Sequence, residues 1–177
     1  MHIHFQPTLQ NNLVLLQPLQ QDDFEPLYMV AADPLVWEQH PNKNRYQREV
    51  FQNYFNGAMQ SNGAMLILDK ATDEVAGCSR FYEYDETTSS VFIGYTFFGR
   101  KFWGKGYNPA AKHLMIDYAF QLVNTIKFHI GAQNIRSQIA IERIGAIKTK
   151  EIEVAYHGEP ERLNFEYELK KEDWFKG

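Results

Sequence analysis

The apolar positions change period several times along the chain, and each change marks an element. Leu13, Val14, Leu15 and Leu16 form a short apolar run between Asn12 and Pro18, which suits a strand. Phe24, Leu27, Tyr28 and Ala31 then recur at helical spacing, with Asp22 and Asp23 in the first turn, where the helix dipole favours carboxylates. Asp33-Pro34 breaks this helix. A second begins near Tyr46, carries Val50, Phe51, Tyr54, Phe55 and Ala58 on one stripe, and should stop near Asn62-Gly63. Residues 34–45 between them read as irregular and hold Trp37, Glu38 and His40, in a class of loop that often carries function.

From Ala64 the period becomes two. Residues 65–68, 75–84 and 89–98 read as three consecutive strands, and the short polar connections between them suit antiparallel hairpins. A helix over 108–123 follows, with Asn108 as its cap and Pro109 at its first position. Its apolar residues spread beyond one face, so it should pack on more than one side as the central helix. Residues 126–130 give a short β-branched strand. Asn134 can cap a further helix stopped by Gly145, and residues 147–156 and 162–169 make two last strands around His157-Gly158-Glu159-Pro160. No repeat, low-complexity tract or linker divides residues 1–177, which predicts a single domain.

Composition narrows the function classes. A formal net charge of -4 supplies no basic field for nucleic acid. The amino terminus lacks the charged and apolar regions of a signal peptide, and no run approaches the roughly 20 apolar residues of a membrane span, so a soluble, cytoplasmic protein is expected. Cys78 is the only cysteine, which excludes an internal disulfide and reads as a core residue. His2 and His4 alternate like strand neighbours but have no third ligand nearby, so no metal is expected and a frayed terminus is the simpler reading.

The sharpest local feature is the stretch from Arg100 to Asn108, RKFWGKGYN, between a strand and a capped helix. Glycines let the backbone approach a ligand, and free amides at a helix start favour phosphate oxygens. Arg100, Lys101 and Lys105 add positive charge; the same pattern also fits a tight turn with exposed cations. Gly99, Gly104 and Lys105 match the start of a nucleotide P-loop, but the next position is Gly106 where a magnesium-binding Ser or Thr is required.

Ile93-Gly94-Tyr95-Thr96-Phe97, then Trp103-Gly104-Lys105-Gly106-Tyr107, together with the order of elements, resemble the GNAT superfamily of acyl-CoA N-acyltransferases, most closely the branch with the Rim-type ribosomal-protein acetyltransferases. Tyr118-Ala119-Phe120, the Asn134-to-Ser137 spacing and Gly145-Ala146 extend the resemblance, which runs over residues 13–169. It implies an α+β GNAT fold with a mixed central sheet and helices on both faces. It also implies acetyl-CoA as acyl donor, no metal, and as acceptor a primary amine of a protein or small molecule. A homodimer is compatible with it, and a non-catalytic acyl-CoA-binding regulatory module is the alternative.

The resemblance further implies that residues 101–106 form a pyrophosphate clasp, with Lys101 where Gln or Arg is usual, and that Gly104, Lys105, Gly106, Tyr107 and Asn108 contribute to cofactor binding. It implies a bulge in the preceding strand, with Thr96, Phe97 and Phe98 presenting backbone groups to the thioester. Asn134 would orient pantetheine, cap its helix, or both. Ser137 shares a stripe with Ala140, Ile141 and Ile144; a hydroxyl there either bonds within its own helix or, by resemblance, serves as the catalytic acid for the departing thiolate. Ile141 stands where many members place a tyrosine acid, which shifts that role to Ser137 or water. Glu38, His40, Glu83 and Tyr84 are candidates for the group that removes the ammonium proton.

Overall fold

The computed structural model describes residues 3–176. A short hairpin opens the chain, β1 (Leu9–Gln10) and β2 (Val14–Pro18), its turn fastened by the Asn11 side chain, which accepts from the amides of Leu13 and Val14 at 2.9 Å each. Helix α1 (Phe24–Ala31) follows. A 3-10 turn (Pro34–Trp37) is capped by Asp33, whose carboxylate accepts from Leu35 N. Helix α2 (Arg48–Ser61) ends on Asn62, where a stop is expected, and does so at a left-handed φ of 53°.

The antiparallel meander is β3 (Ala64–Asp69), β4 (Val75–Asp85) and β5 (Ser90–Phe98). After the glycine-rich loop come α3 (Tyr107–Ala119), β6 (Thr125–Gly131), α4 (Ile135–Arg143), β7 (Ile147–Ala155), β8 (Glu161–Lys170) and α5 (Lys171–Lys176). The eight strands form one sheet in the order β1-β2-β3-β4-β5-β6-β8-β7. Only β5 and β6 pair in parallel, because α3 carries the chain back over the sheet between them.

Strand alternation divides the core into two layers. Met65 and Ile67 join Val14, Ile93, Met115 and Phe128 on the α3 side, while Ala64, Leu66 and Leu68 join Leu27, Phe51, Phe55, Cys78 and Phe97 on the α1–α2 side. Strand β3 is apolar at successive positions because it is covered on both faces. Cys78 sits in this core, where burial pushes its thiol up to about 11.

Two local expectations, both about α3, need correction. Helix α3 begins at Tyr107 with Gly106 as its cap, so Asn108 and Pro109 are its second and third residues; first-turn amides have no intrahelical acceptor, and a proline is tolerated there. The same helix stops at Ala119, beyond which the amides of Gln121 and Leu122 tighten into i−3 hydrogen bonds. Strand β8 inserts between β6 and β7, and neither β1 nor α5 is visible in the periodicity. His2 lies outside the described residues.

Candidate active site

The site is made by two faults in the sheet. Strands β5 and β6 pair only from Ser90 to Phe92, against Thr125 to Lys127, and then part. On the other edge of β5, Cys78 pairs with Phe97 while Arg80 pairs with Gly94, so two residues of β5, Tyr95 and Thr96, stand against one of β4, Ser79. The extra residue is accommodated by Tyr95, whose φ of 54° is left-handed and costs a non-glycine residue on the order of 1 kcal/mol. The Tyr54 hydroxyl donates to the Tyr95 carbonyl at 2.5 Å, and the Arg80 guanidinium lies 3.6 Å from the Tyr95 ring centre. This bulge leaves Tyr95 and Thr96 without partners in the β4 register, whereas Phe97 and Phe98 are paired and almost buried. Thr96 is thus the member of the expected trio whose backbone the bulge frees.

A cavity of about 910 Å³ occupies the gap. Gly104 and Gly106 border it at φ 70° and 86°. A Cβ on Gly104 would meet no atom within 4 Å, and one on Gly106 would meet only Leu13 Cδ2 at 3.9 Å. The glycines therefore serve the backbone turn and leave open space before the first turn of α3, a cradle of amides that fits a phosphate. Tyr107 and Asn108 also line the cavity; the Tyr107 hydroxyl donates to Asp69 at 3.0 Å, and Asn108 Oδ1 is buried without a partner.

The structure separates the two lysines of the loop from its glycines. Phe102 is drawn into the core, which turns Lys101 to the other side of the loop, where its ammonium meets both oxygens of Glu74 at 2.5 Å. Lys105 is exposed and, like Lys101, does not line the cavity. The cations that do are Lys112 on α3, Arg136 and Arg143 on α4, and Arg45 on the α1–α2 side. Arg136 lies 4.0 Å from the Trp103 ring centre and so bridges α4 and the glycine loop.

Helix α4 brings Asn134 and Ser137 to the same cavity. Asn134 Oδ1 accepts from Ser137 N at 3.4 Å, so the asparagine caps its helix while facing the gap. Opposite them Lys112, 8% exposed, donates from Nζ to Thr96 Oγ1 at 3.1 Å, and Thr96 Oγ1 shares a hydrogen bond with Ser79 Oγ at 2.8 Å. Burial lowers the Lys112 pKa to about 8.

On the α1–α2 side, residues 34–45 and the turn between β7 and β8 meet over the cavity. Arg45 and Glu159 form a bidentate pair at 2.6 and 2.9 Å, with both side chains at most 3% exposed. The guanidinium is boxed by Trp37, Tyr54, Tyr95 and Tyr156, with ring centres at 5.2–5.8 Å. His40 lines the cavity but has its Nδ1 2.9 Å from Asn42 N and its Nε2 3.2 Å from Arg45; burial, then the Arg45 charge, hold its pKa well below the usual value. It is poorly placed to accept a proton. Glu38, Glu83 and Tyr84 do not line the cavity at all. His129 on β6 does line it; its Nε2 is 2.8 Å from Glu166 Oε2 and its ring packs on Phe92 at 4.4 Å.

Lys112, the His129–Glu166 pair and Arg45 were not picked out from sequence. The available signals were a lysine four residues beyond Asn108 on a mostly apolar helix, and the alternation of Lys127 and His129 with Ile126, Phe128 and Ile130. Glu166 becomes relevant only through the β6–β8 register, which sets it opposite His129.

A mixed sheet split beside a bulged strand, with a glycine cradle at the next helix, is the arrangement that the resemblance to acyl-CoA-dependent acetyltransferases implies, and residues 14–147 match the model of the acetyltransferase (GNAT) domain family. The chain belongs to that family. It is 31% identical over 124 residues to a Bacillus licheniformis protein named Uncharacterized N-acetyltransferase p20, a match that spans 66% of this chain and 68% of that one. Among solved structures, a GCN5-related N-acetyltransferase from Brucella melitensis superposes with a TM-score of 0.81 at 18% identity, over 96% of this chain and 80% of that one. Mycobacterium smegmatis RimJ in complex with CoA-disulfide superposes with a TM-score of 0.75 at 16% identity, over 98% and 91%. At these identities the two structures speak for the fold, which is the α+β arrangement expected. Among the described residues no helix is long and apolar enough to cross a membrane.

Proposed function

We propose that this acetyltransferase acylates a primary amine, on a protein amino terminus or a small molecule, in the cytoplasm. The observation that carries this reading is the cavity itself: it joins the glycine cradle, the bulged strand and the His129–Glu166 pair across one gap. Acetyl-CoA supplies the activated acyl group. The amides beside Gly104 and Gly106 receive its phosphates, and a backbone N–H of the stretch at Tyr95 and Thr96 that leaves the β4 register faces the reacting carbonyl. Ser137 approaches the sulfur from α4.

An ammonium has no lone pair for attack, so a proton must leave first. With its Nε2–H donated to Glu166, His129 carries a lone pair on its other nitrogen and takes that role. The acceptor reaches it from the α1–α2 side, past Trp37 and Tyr156.

His129→Asn is expected to lower kcat by ~10²-fold and flatten the rise of turnover with pH, leaving acetyl-CoA affinity unchanged. Ser137→Ala should slow single-turnover transfer more than it weakens binding. Wild-type rates in both variants would remove these residues from the mechanism.

A further inference from the structure

Lys112 is the feature that the proposed chemistry leaves unused. A lysine this deeply buried ordinarily has a carboxylate partner. Here the contacts on Nζ are the Thr96 hydroxyl from β5, which is tied to Ser79 of β4, and the face of Phe128 from β6 at 5.9 Å. None of these groups is charged, no ion pair reaches Lys112 among the described residues, and burial is the one cause acting on its titration.

Its place in the fold is equally specific. Thr96 directly follows the bulged Tyr95, and Phe128 belongs to the strand that parts from β5, so Lys112 reaches from α3 into the fork between the two strands. It stands six residues beyond Gly106, well inside the helix, and is therefore separate from the amides that cradle phosphate. With a pKa of about 8 it remains mostly protonated at neutral pH. The fold thus keeps an uncompensated cation where the sheet opens.

We propose that Lys112 is a positioning residue whose positive charge, held at the fork through Thr96, stabilises the negative charge that gathers on the thioester oxygen and then on the departing CoA sulfur. This inference rests on the acetyltransferase reading. In the transfer, the amine lone pair forms the C–N bond, the C–S bond breaks with its electron pair leaving on sulfur, and the proton lost from nitrogen balances the thiolate as thiol. Lys112 neither gives nor takes a proton overall. Its charge has no partner in the resting protein and acquires one as the reaction proceeds, so its effect falls on the transition state more than on the bound substrate.

Lys112→Met, uncharged, unbranched and one heavy atom shorter, is the direct variant, and it should fold, with a melting temperature at or above that of the wild type at pH 7, because it removes a buried charge without a counter-ion. Thr96→Val is the second variant; it cuts the tether while leaving the lysine. The first measurement is the titration of the CoA thiol bound to each protein, followed by thiolate absorbance. The wild type should hold the thiol about one pKa unit lower than Lys112→Met does, with Thr96→Val in between. The second is steady-state kinetics, where Lys112→Met should lose ~10- to 100-fold in kcat with less than a threefold change in the KM for acetyl-CoA. Equal thiol titrations in wild type and Lys112→Met would overturn the role of Lys112 and leave the transferase reading standing, whereas failure of CoA to bind either protein would overturn both.

Discussion

Replacing Gly104 and Gly106 together by alanine is expected to abolish the stabilisation that acetyl-CoA gives the folded protein. A ligand present at a hundred times its dissociation constant stabilises the native state by about 2.7 kcal/mol. For a chain of this length that corresponds to a rise of roughly 5–10 °C in melting temperature. Both glycines sit in the left-handed region, and the space before Gly104 is open. An alanine methyl would thus meet the phosphates and not the protein's own atoms. Left-handed backbone costs alanine about 1–2 kcal/mol per site, so the unliganded variant should melt lower yet remain folded. An undiminished acetyl-CoA shift in a folded double variant would remove the cradle from the site.

Glu159→Gln is expected to be the most destabilising single change near the acceptor side. Its carboxylate is the sole counter-charge that the structure pairs with Arg45, which is enclosed by four aromatic rings. Removing one member of such a buried pair leaves a charge that water cannot reach, at about 3–5 kcal/mol. The melting temperature should fall by roughly 10 °C. The pair also joins residues 34–45 to the β7–β8 turn, so the KM for the amine should rise more than the KM for acetyl-CoA, whose cradle lies at the far end of the cavity. A thermal scan and both constants check this; an unchanged melting temperature would mean that the pair contributes nothing to holding the loop.

Much of this architecture is legible in the sequence alone. The strand and helix periods located the meander, the central helix and the capped helix at Asn134 to within a few residues, because each of those segments buries one or two regular faces. The glycines at 104 and 106 stood out because their spacing beside a helix start has few structural uses. The loop lysines misled for a physical reason: charge near a cradle in sequence says nothing of direction, and burial of Phe102 sends Lys101 to Glu74. Lys112 was hidden by its helix, where one lysine among apolar positions reads as a boundary of the apolar face. His129 and Glu166 are 37 residues apart and meet only by strand register, a long-range fact that local pattern does not carry.

The central claim is that the fork between β5 and β6 transfers an acetyl group from CoA to a primary amine. It is tested most directly by incubating the purified protein with acetyl-CoA and a panel of amines: peptides with free amino termini, polyamines, aminoglycosides and small metabolites. Released CoA thiol and acetylated product are then quantified in the same samples. The expected result is thiol and N-acetyl amide in equal molar amounts with at least one amine, faster as pH rises toward the amine's own pKa. Thiol release that never yields an amide, an ester as the sole acetylated product, or tight acetyl-CoA binding with no turnover on any amine would contradict it.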